Sequence, residues 1–144
     1  RAVIASELAA KIYGLKIVRN DIEDEDHNTT RFLVLSATPQ EAAPGDGPVL
    51  TSFVFRVRNV PAALYKAMGG FATNGVNMTK LESYQLEGQF SATQFYADVE
   101  GHPSDRGVRL ALEELAFFTS YLKVLGVYKA SPFRIEIAQR MPQD

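Results

Sequence analysis

Apolar and polar positions change their rhythm twice along the chain, and the changes divide it into parts. Near the start, Val3, Ile4, Leu8, Ile12 and Tyr13 recur at helical spacing among small alanines, and Gly14 follows where a helix commonly ends. This predicts a helix from Ala2 to Gly14. Leu15 to Val18 then reads as a short strand, Asn20 to Asn28 as an acidic loop, and Phe32 to Leu35 as a buried strand. Pro39 to Pro48 holds three prolines and two glycines in ten residues, a linker composition that marks a domain boundary. From Leu50 to Arg58 the pattern alternates, with Phe53, Phe55 and Val57 on one face and Ser52, Val54, Arg56 and Arg58 on the other.

Pro61 stands where a helix begins, and Leu64, Tyr65, Met68, Phe71 and Ala72 form its stripe up to Asn74-Gly75. Val76 to Leu86 is the next strand, Glu87-Gly88 a hairpin turn, and Phe90 to Glu100 a strand with Phe95, Ala97 and Val99 on one face. Gly101-His102-Pro103 breaks the chain, and Ser104 or Asp105 can cap a helix whose stripe runs Val108, Leu112, Leu115, Phe118. Leu122 to Tyr128 closes the pattern, and Ala130 to Asp144 is a polar, loose tail. The order over residues 50–128 is strand, helix, strand, strand, helix, strand. Right-handed crossovers stack both helices on one face of a four-stranded antiparallel sheet. The expected class is α+β with a ferredoxin-like βαββαβ sandwich, a fold that fixes no chemistry by itself.

Composition narrows the function classes. The chain has 144 residues, 46% of them hydrophobic, with a net charge of −2 and a pI near 5.7. That is enough apolar content for a packed domain and too little charge for disorder. Fifteen basic residues spread through an acidic chain give no footprint for nucleic acid or an anionic membrane. Zero Cys excludes disulfides, thiol catalysis and thiolate metal sites, and agrees with a reducing cytoplasm. No run approaches the length of a membrane span. The first residue is Arg1, not Met, and the apolar opening helix needs a partner that the next residues do not offer, so the expectation is a fragment of a longer protein.

Most candidate chemistry is better read as structure. Asp21, Glu23, Asp24, Glu25 and Asp26 lack the ligand spacing and central glycine of a calcium loop, and read as a solvated loop. No metal or cofactor is expected. His27 and His102 have no partner pattern around them, and Gly69-Gly70 lacks phosphate-loop spacing and reads as close helix–sheet packing. Phe90, Phe95 and Tyr96 do not form an RNA-recognition face, because Phe95 and Tyr96 are adjacent and point to opposite sides.

Two stretches are more specific. Asn59-Val60-Pro61-Ala62-Ala63-Leu64-Tyr65 and Gly75-Val76-Asn77-Met78-Thr79-Lys80-Leu81-Glu82-Ser83 resemble two motifs of the ACT regulatory domain of prephenate dehydratases. Asn28-Thr29-Thr30-Arg31-Phe32-Leu33-Val34-Leu35 is similar to the Asn-x-Thr-Arg-Phe motif ending that family's catalytic domain, and Leu122 to Tyr128 resembles the close of the ACT domain. The resemblance covers residues 1–129 in family order. It implies a helix–strand remnant of an α/β catalytic domain at 1–38, a linker at 39–48, an ACT domain at 49–129 and a tail at 130–144. It further implies prephenate as substrate of the complete enzyme, with Thr30 as the catalytic threonine positioned by Arg31 and Phe32. L-phenylalanine is the implied effector, held between subunits of a dimer or tetramer by the amides of Ala62, Ala63 and Leu64 and by Asn77 and Ser83. A helix N-terminus favours the ligand carboxylate, and an Asn oxygen can accept from its ammonium group. Two departures stand out: Ala62 fills a glycine slot, and Tyr84-Gln85 replaces Arg-Pro. A stand-alone amino-acid sensor and a purely structural dimerisation module are the alternatives, and the motif at 28–32 speaks against the sensor.

Overall fold

The computed structural model describes residues 2–24, 30–58, 60–86 and 89–134. They fall into two units, 1–35 and 36–144. In the first, helix α1 spans Glu7–Tyr13, shorter than the apolar stripe predicts. Ser6 sets its start: the backbone there is extended, and the side-chain oxygen accepts from the Ala9 amide at 3.2 Å. Gly14, at φ 62°, ends it, and the Leu15 amide donates to the Ala10 carbonyl at 2.9 Å. The two strands expected at Leu15–Val18 and Phe32–Leu35 are absent, and Phe32, Val34 and Leu35 are exposed rather than buried. A strand exists through its ladder, and no strand of this unit is found among the described residues. The helix stripe is equally uncovered, with Val3, Ile4, Leu8, Ile12 and Tyr13 all exposed.

The second unit follows the predicted order. Its elements are β1 (Val49–Val57), α2 (Ala63–Thr73), β2 (Met78–Leu86), β3 (Gln89–Glu100), α3 (Arg106–Phe118) and β4 (Thr119–Lys129). The sheet order is β2-β3-β1-β4, with every neighbouring pair antiparallel. This is an α+β sandwich with both helices on one face. Phe53 and Phe55 of β1, Phe95, Ala97 and Val99 of β3, Ala67 and Phe71 of α2, and Val108, Ala111 and Leu115 of α3 form one buried cluster. Period two supplies the strand members and period 3.6 the helix members. Phenylalanine dominates: Phe53 stacks on Phe71 at 5.7 Å between ring centres, and Phe55 on Phe95 at 5.1 Å. Tyr65, expected in the stripe of α2, is instead 82% exposed, and Ala67 and Phe71 carry that contact.

The helix ends are shaped by single residues. Asn74 and Gly75 close α2, with Gly75 at φ 65°. Asp105 occupies the cap position of α3, but its carboxylate turns back to accept the His102 amide at 2.7 Å. The two helices touch through glycine. A Cβ on Gly70 would lie 2.8 Å from Glu114 Oε2, and one on Gly107 would lie 2.9 Å from the Asn74 carbonyl oxygen. Gly70 therefore serves helix–helix approach, not the helix–sheet approach expected from sequence. The hairpin turn expected at Glu87-Gly88 and the tail beyond Arg134 lie outside the described residues. The tail's first part makes one turn, with the Arg134 amide on the Ser131 carbonyl at 3.0 Å.

The chain before β1 is not a free linker. The Ala42 amide donates to the Val127 carbonyl at 2.9 Å, and Lys129 Nζ lies 3.3 Å from Asp46 Oδ2. Residues 42–48 thus belong to the second unit and lie along the end of β4. No helix among the described residues is long and apolar enough to cross a membrane.

The glycines give a direct test of the helix packing. Gly107→Ala should lower unfolding free energy by about 1–3 kcal/mol, because its methyl meets backbone that cannot rotate away. Gly69→Ala, with nothing within 4 Å of the added carbon, should raise it by roughly 0.5–1 kcal/mol through helix propensity. Urea unfolding of the two variants checks both signs.

Candidate functional site

The N-terminus of α2 is an unusual helix start. Ala62 stands at the cap position with φ 59° and ψ 19°, and no side chain caps the helix. A left-handed alanine costs roughly 1–2 kcal/mol, so glycine in this slot relieves strain as well as making room. Of the first-turn amides that no intrahelical carbonyl can reach, that of Ala63 donates to the Val60 carbonyl at 3.1 Å. The amides of Leu64 and Tyr65 are the ones this turn can direct at a ligand. The Ala63 amide is thus engaged within the chain, while the Tyr65 amide lies in the same first turn beneath an exposed ring. Sequence missed this because the cap fell at Ala62 without any capping residue type to mark it.

Asn77 lies just before β2 and is exposed. Its Nδ2 donates to Glu100 Oε2 at 2.9 Å, and its backbone carbonyl accepts from the Glu100 amide at 2.9 Å. That fixes the side chain and leaves Oδ1 as its remaining acceptor. Ser83 is exposed on β2, opposite Phe95, and so on the helix-bearing side of the sheet. The register then separates these residues. β1 runs from Leu50, opposite Glu100, to Arg56, opposite Gln94, and α2 starts beyond that far end. Six residue steps put Asn77 about 20 Å from Ala62 to Leu64. Ser83 belongs to the α2 end. One chain does not bring Asn77 and the α2 start together.

The sheet face away from the helices carries a polar group that the sequence reading did not single out. Asp98 is fully buried and accepts a very short hydrogen bond from Ser52 Oγ. Tyr96 OH donates to the same Ser52 oxygen at 3.1 Å, and Tyr128 OH lies 2.8 Å from it. Burial pushes the Tyr96 phenol up to about 12, with hydrogen bonding to and the charge of Asp98 adding to the shift. On the neighbouring strand Lys80 sits 5.6 Å from the Tyr96 ring centre and 3.0 Å from Glu82. Tyr84 OH donates to Glu82 at 2.5 Å, which lowers the Glu82 carboxyl, helped by Lys80, and raises the Tyr84 phenol. The signal was present as two polar residues, Ser52 and Asp98, at register positions that face each other.

The other candidates resolve as follows. Thr30, Arg31 and Phe32 are described, non-helical and exposed, together only as neighbours in sequence. Glu25, Asp26 and His27 lie outside the described residues, and Asp21, Glu23 and Asp24 are exposed. His102 Nδ1 accepts the Ser104 amide at 3.0 Å and lies 2.7 Å from Ser104 Oγ, which makes it part of the turn before α3. Phe95 is in the core and Tyr96 on the opposite face. The Phe90 side chain lies outside what is described. Among the described residues no group of His, Asp and Glu is arranged to hold a metal.

Comparison with known proteins adds to this geometry. The sequence model of the prephenate dehydratase family matches residues 1–40. A bifunctional N-acyl-homoserine lactone acylase/prephenate dehydratase of Komagataeibacter europaeus is 56% identical over 131 residues, covering 91% of this chain and 47% of that protein. A bifunctional chorismate mutase/prephenate dehydratase of Aquifex aeolicus is 41% identical over 125 residues, covering 87% of this chain and 34% of that one. The crystal structure of a prephenate dehydratase from Arthrobacter aurescens, in complex with L-Phe, superposes with a TM-score of 0.55 at 24% identity. It covers 73% of this chain and 38% of that one, a likeness of fold. The α+β sandwich is thus the ACT-like fold of such enzymes. The chain spans less than half the length of these curated relatives, and over that stretch it matches prephenate dehydratases.

Proposed function

We propose that this stretch is the end of the catalytic domain, a linker, an ACT regulatory domain and a tail of a cytoplasmic prephenate dehydratase, divided at 1–38, 39–48, 49–129 and 130–144. The observation that carries the reading is the pairing within one chain of a family match over residues 1–40 with an ACT-like sandwich directly after it. The complete enzyme converts prephenate to phenylpyruvate, losing water and carbon dioxide. As the carbon–carboxylate bond breaks, its electron pair enters the ring and expels the ring hydroxyl. That hydroxyl is a poor leaving group beside a negatively charged substrate, and a fixed donor lets it depart as water. Thr30 is assigned that donor role, with Arg31 and Phe32 positioning it. The exposed apolar residues of 3–13 and 32–35 are then faces that the rest of the catalytic domain covers.

The regulatory half binds L-phenylalanine between two copies. Helix dipole and first-turn amides at Leu64 and Tyr65 meet the carboxylate, and Asn77 Oδ1 accepts from the ammonium group. The 20 Å separation within one chain is resolved by pairing two β2 edges antiparallel about a two-fold axis. The start of one β2 then lies beside the end of the other, and Asn77 of one chain reaches the α2 start of its partner. β2 is the suitable edge. Between its register shifts at Met78/Lys80 and Gln85/Leu86 it pairs with β3 in unbroken register, whereas β4 already meets residue 42 on its outer side.

A second reading has one specific observation behind it, the acylase activity in the name of the 56%-identical relative. Amide hydrolysis needs an activated nucleophile. The hydroxyl–imidazole pair at Ser104 and His102 does not supply one, since Nδ1 already accepts the Ser104 amide. That pair is therefore assigned no acylase role.

Three measurements test these assignments. In the complete enzyme Thr30→Ala should lower kcat on the order of 10²–10³-fold with the melting temperature unchanged, while the 144-residue chain alone turns over no prephenate. Calorimetric titration with L-phenylalanine should show Asn77→Ala weakening binding about 10- to 150-fold, since a hydrogen bond to a charged group contributes roughly 1.5–3 kcal/mol. L-lysine should give no heat with either form. Acyl release from an N-acyl-homoserine lactone by the complete enzyme should be indifferent to Ser104→Ala, and a loss of release would move the nucleophile to that turn.

A further inference from the structure

Residues 42–48 are attached to β4 by a small set of contacts on one side. Ala42 donates its amide to the Val127 carbonyl at 2.9 Å. A turn follows, in which the Asp46 amide donates to the Ala43 carbonyl at 3.2 Å, and Asp46 Oδ2 accepts from the Ala43 amide at 3.3 Å. Gly45 and Gly47, at φ 84° and 97°, allow the reversal. The same Asp46 oxygen meets Lys129 Nζ, at 3.3 Å, near the C-terminal end of β4. The Ala43 amide and then Lys129 hold the Asp46 carboxyl below its usual range. Beyond Pro48 the chain enters β1, with the Ala130 amide on the Pro48 carbonyl at 2.8 Å. The segment between the two units is therefore fastened at its C-terminal part, and only six residues, 36–41, separate Leu35 from the first fastening point.

We propose that residues 42–48 are a releasable strap that couples the ACT sandwich to the preceding catalytic segment, fastened to β4 by the Ala42–Val127 hydrogen bond and the Asp46–Lys129 ion pair. The proposal rests on the dehydratase reading above and adds the element through which effector binding is transmitted. The strength of the fastening suits a switch. Apart from the Ala130–Pro48 hydrogen bond where the segment joins β1, one backbone hydrogen bond and one exposed ion pair hold it, weak enough to open yet together comparable to common allosteric couplings of about 5- to 150-fold. β4 pairs with β1 along its length, and β1 with β3. A shift of the sheet on effector binding at the β2 side is delivered to the strap through two strands that share one core.

The test uses Ala42→Pro, which deletes the amide donor, and Lys129→Ala, which deletes the ion pair. Lys123→Ala, on the same strand and away from the strap, is the control. In the 144-residue chain, hydrogen exchange over residues 40–48 should quicken about 5- to 10-fold in both strap variants and not in the control. Calorimetric affinity for L-phenylalanine should stay within twofold for all three. In the complete dehydratase both strap variants should lose feedback inhibition by L-phenylalanine at least fivefold in its half-inhibiting concentration, with kcat in its absence unchanged. Failure of the unmutated chain to bind L-phenylalanine overturns the effector reading itself. Binding that persists, with strap variants inhibited like the control, overturns the strap alone. Unchanged exchange over 40–48 overturns it too, since the contacts would then not govern the segment.

Discussion

The sandwich depends on a layer of phenylalanine rings trapped between the central strands and the helices. Phe53 and Phe55 leave β1 on the same side, and each finds a stacked partner from a different element, Phe71 on α2 and Phe95 on β3. Because β1 lies inside the sheet, this one strand fixes both the position of α2 and the register of β3. Rings this large bury much apolar area and prefer offset or tilted contacts, so the layer sets the spacing between helices and sheet. Small residues complete it. Gly70 and Gly107 let the helices close over the rings, and Ala67, Ala97 and Ala111 fill what remains.

The opposite face of the same strands is organised by charge. Burying a carboxylate without partners is costly, and Asp98 avoids that cost through Ser52, beneath the hydroxyls of Tyr96 and Tyr128. These groups come from β1, β3 and β4, so the network ties together three of the four strands. A pairing slipped by one residue would turn Asp98 toward the phenylalanine layer, which gives the cluster a clear part in fixing register.

What the sequence revealed follows from what periodicity encodes. The alternation at Phe53, Phe55 and Val57, the set Phe95, Ala97 and Val99, and the spacing of Val108 and Leu115 each report a covered face, and those positions are packed as read. Periodicity does not say what covers a face. Phe32 to Leu35 are apolar enough for a buried strand, yet among the described residues of the first unit no partner strand supplies a ladder. Tyr65 shares the spacing of the α2 stripe but lies two residues from buried Ala67, which places it on the opposite side of the helix. The site was legible in part. The α2 start and Asn77 were marked by motif, but neither spacing nor motif shows that strand direction separates them, or that Val60 occupies the Ala63 amide. The fastening of residues 42–48 was hidden for a related reason. Proline and glycine mark an irregular path and carry no information about what that path touches.

The distance between Asn77 and the start of α2 has a consequence for how occupancy depends on concentration. On the proposed assignment, an amino acid that needs both groups is bound by a pair of chains, so binding and assembly form one linked equilibrium. Dilution removes sites as well as ligand, and half-saturation moves to lower ligand concentration as the amount of protein rises. The proposed two-fold pairing would also make such sites in equal pairs, each built from one end of either chain, so a lesion at one end of a single copy would spoil one pocket and spare the other.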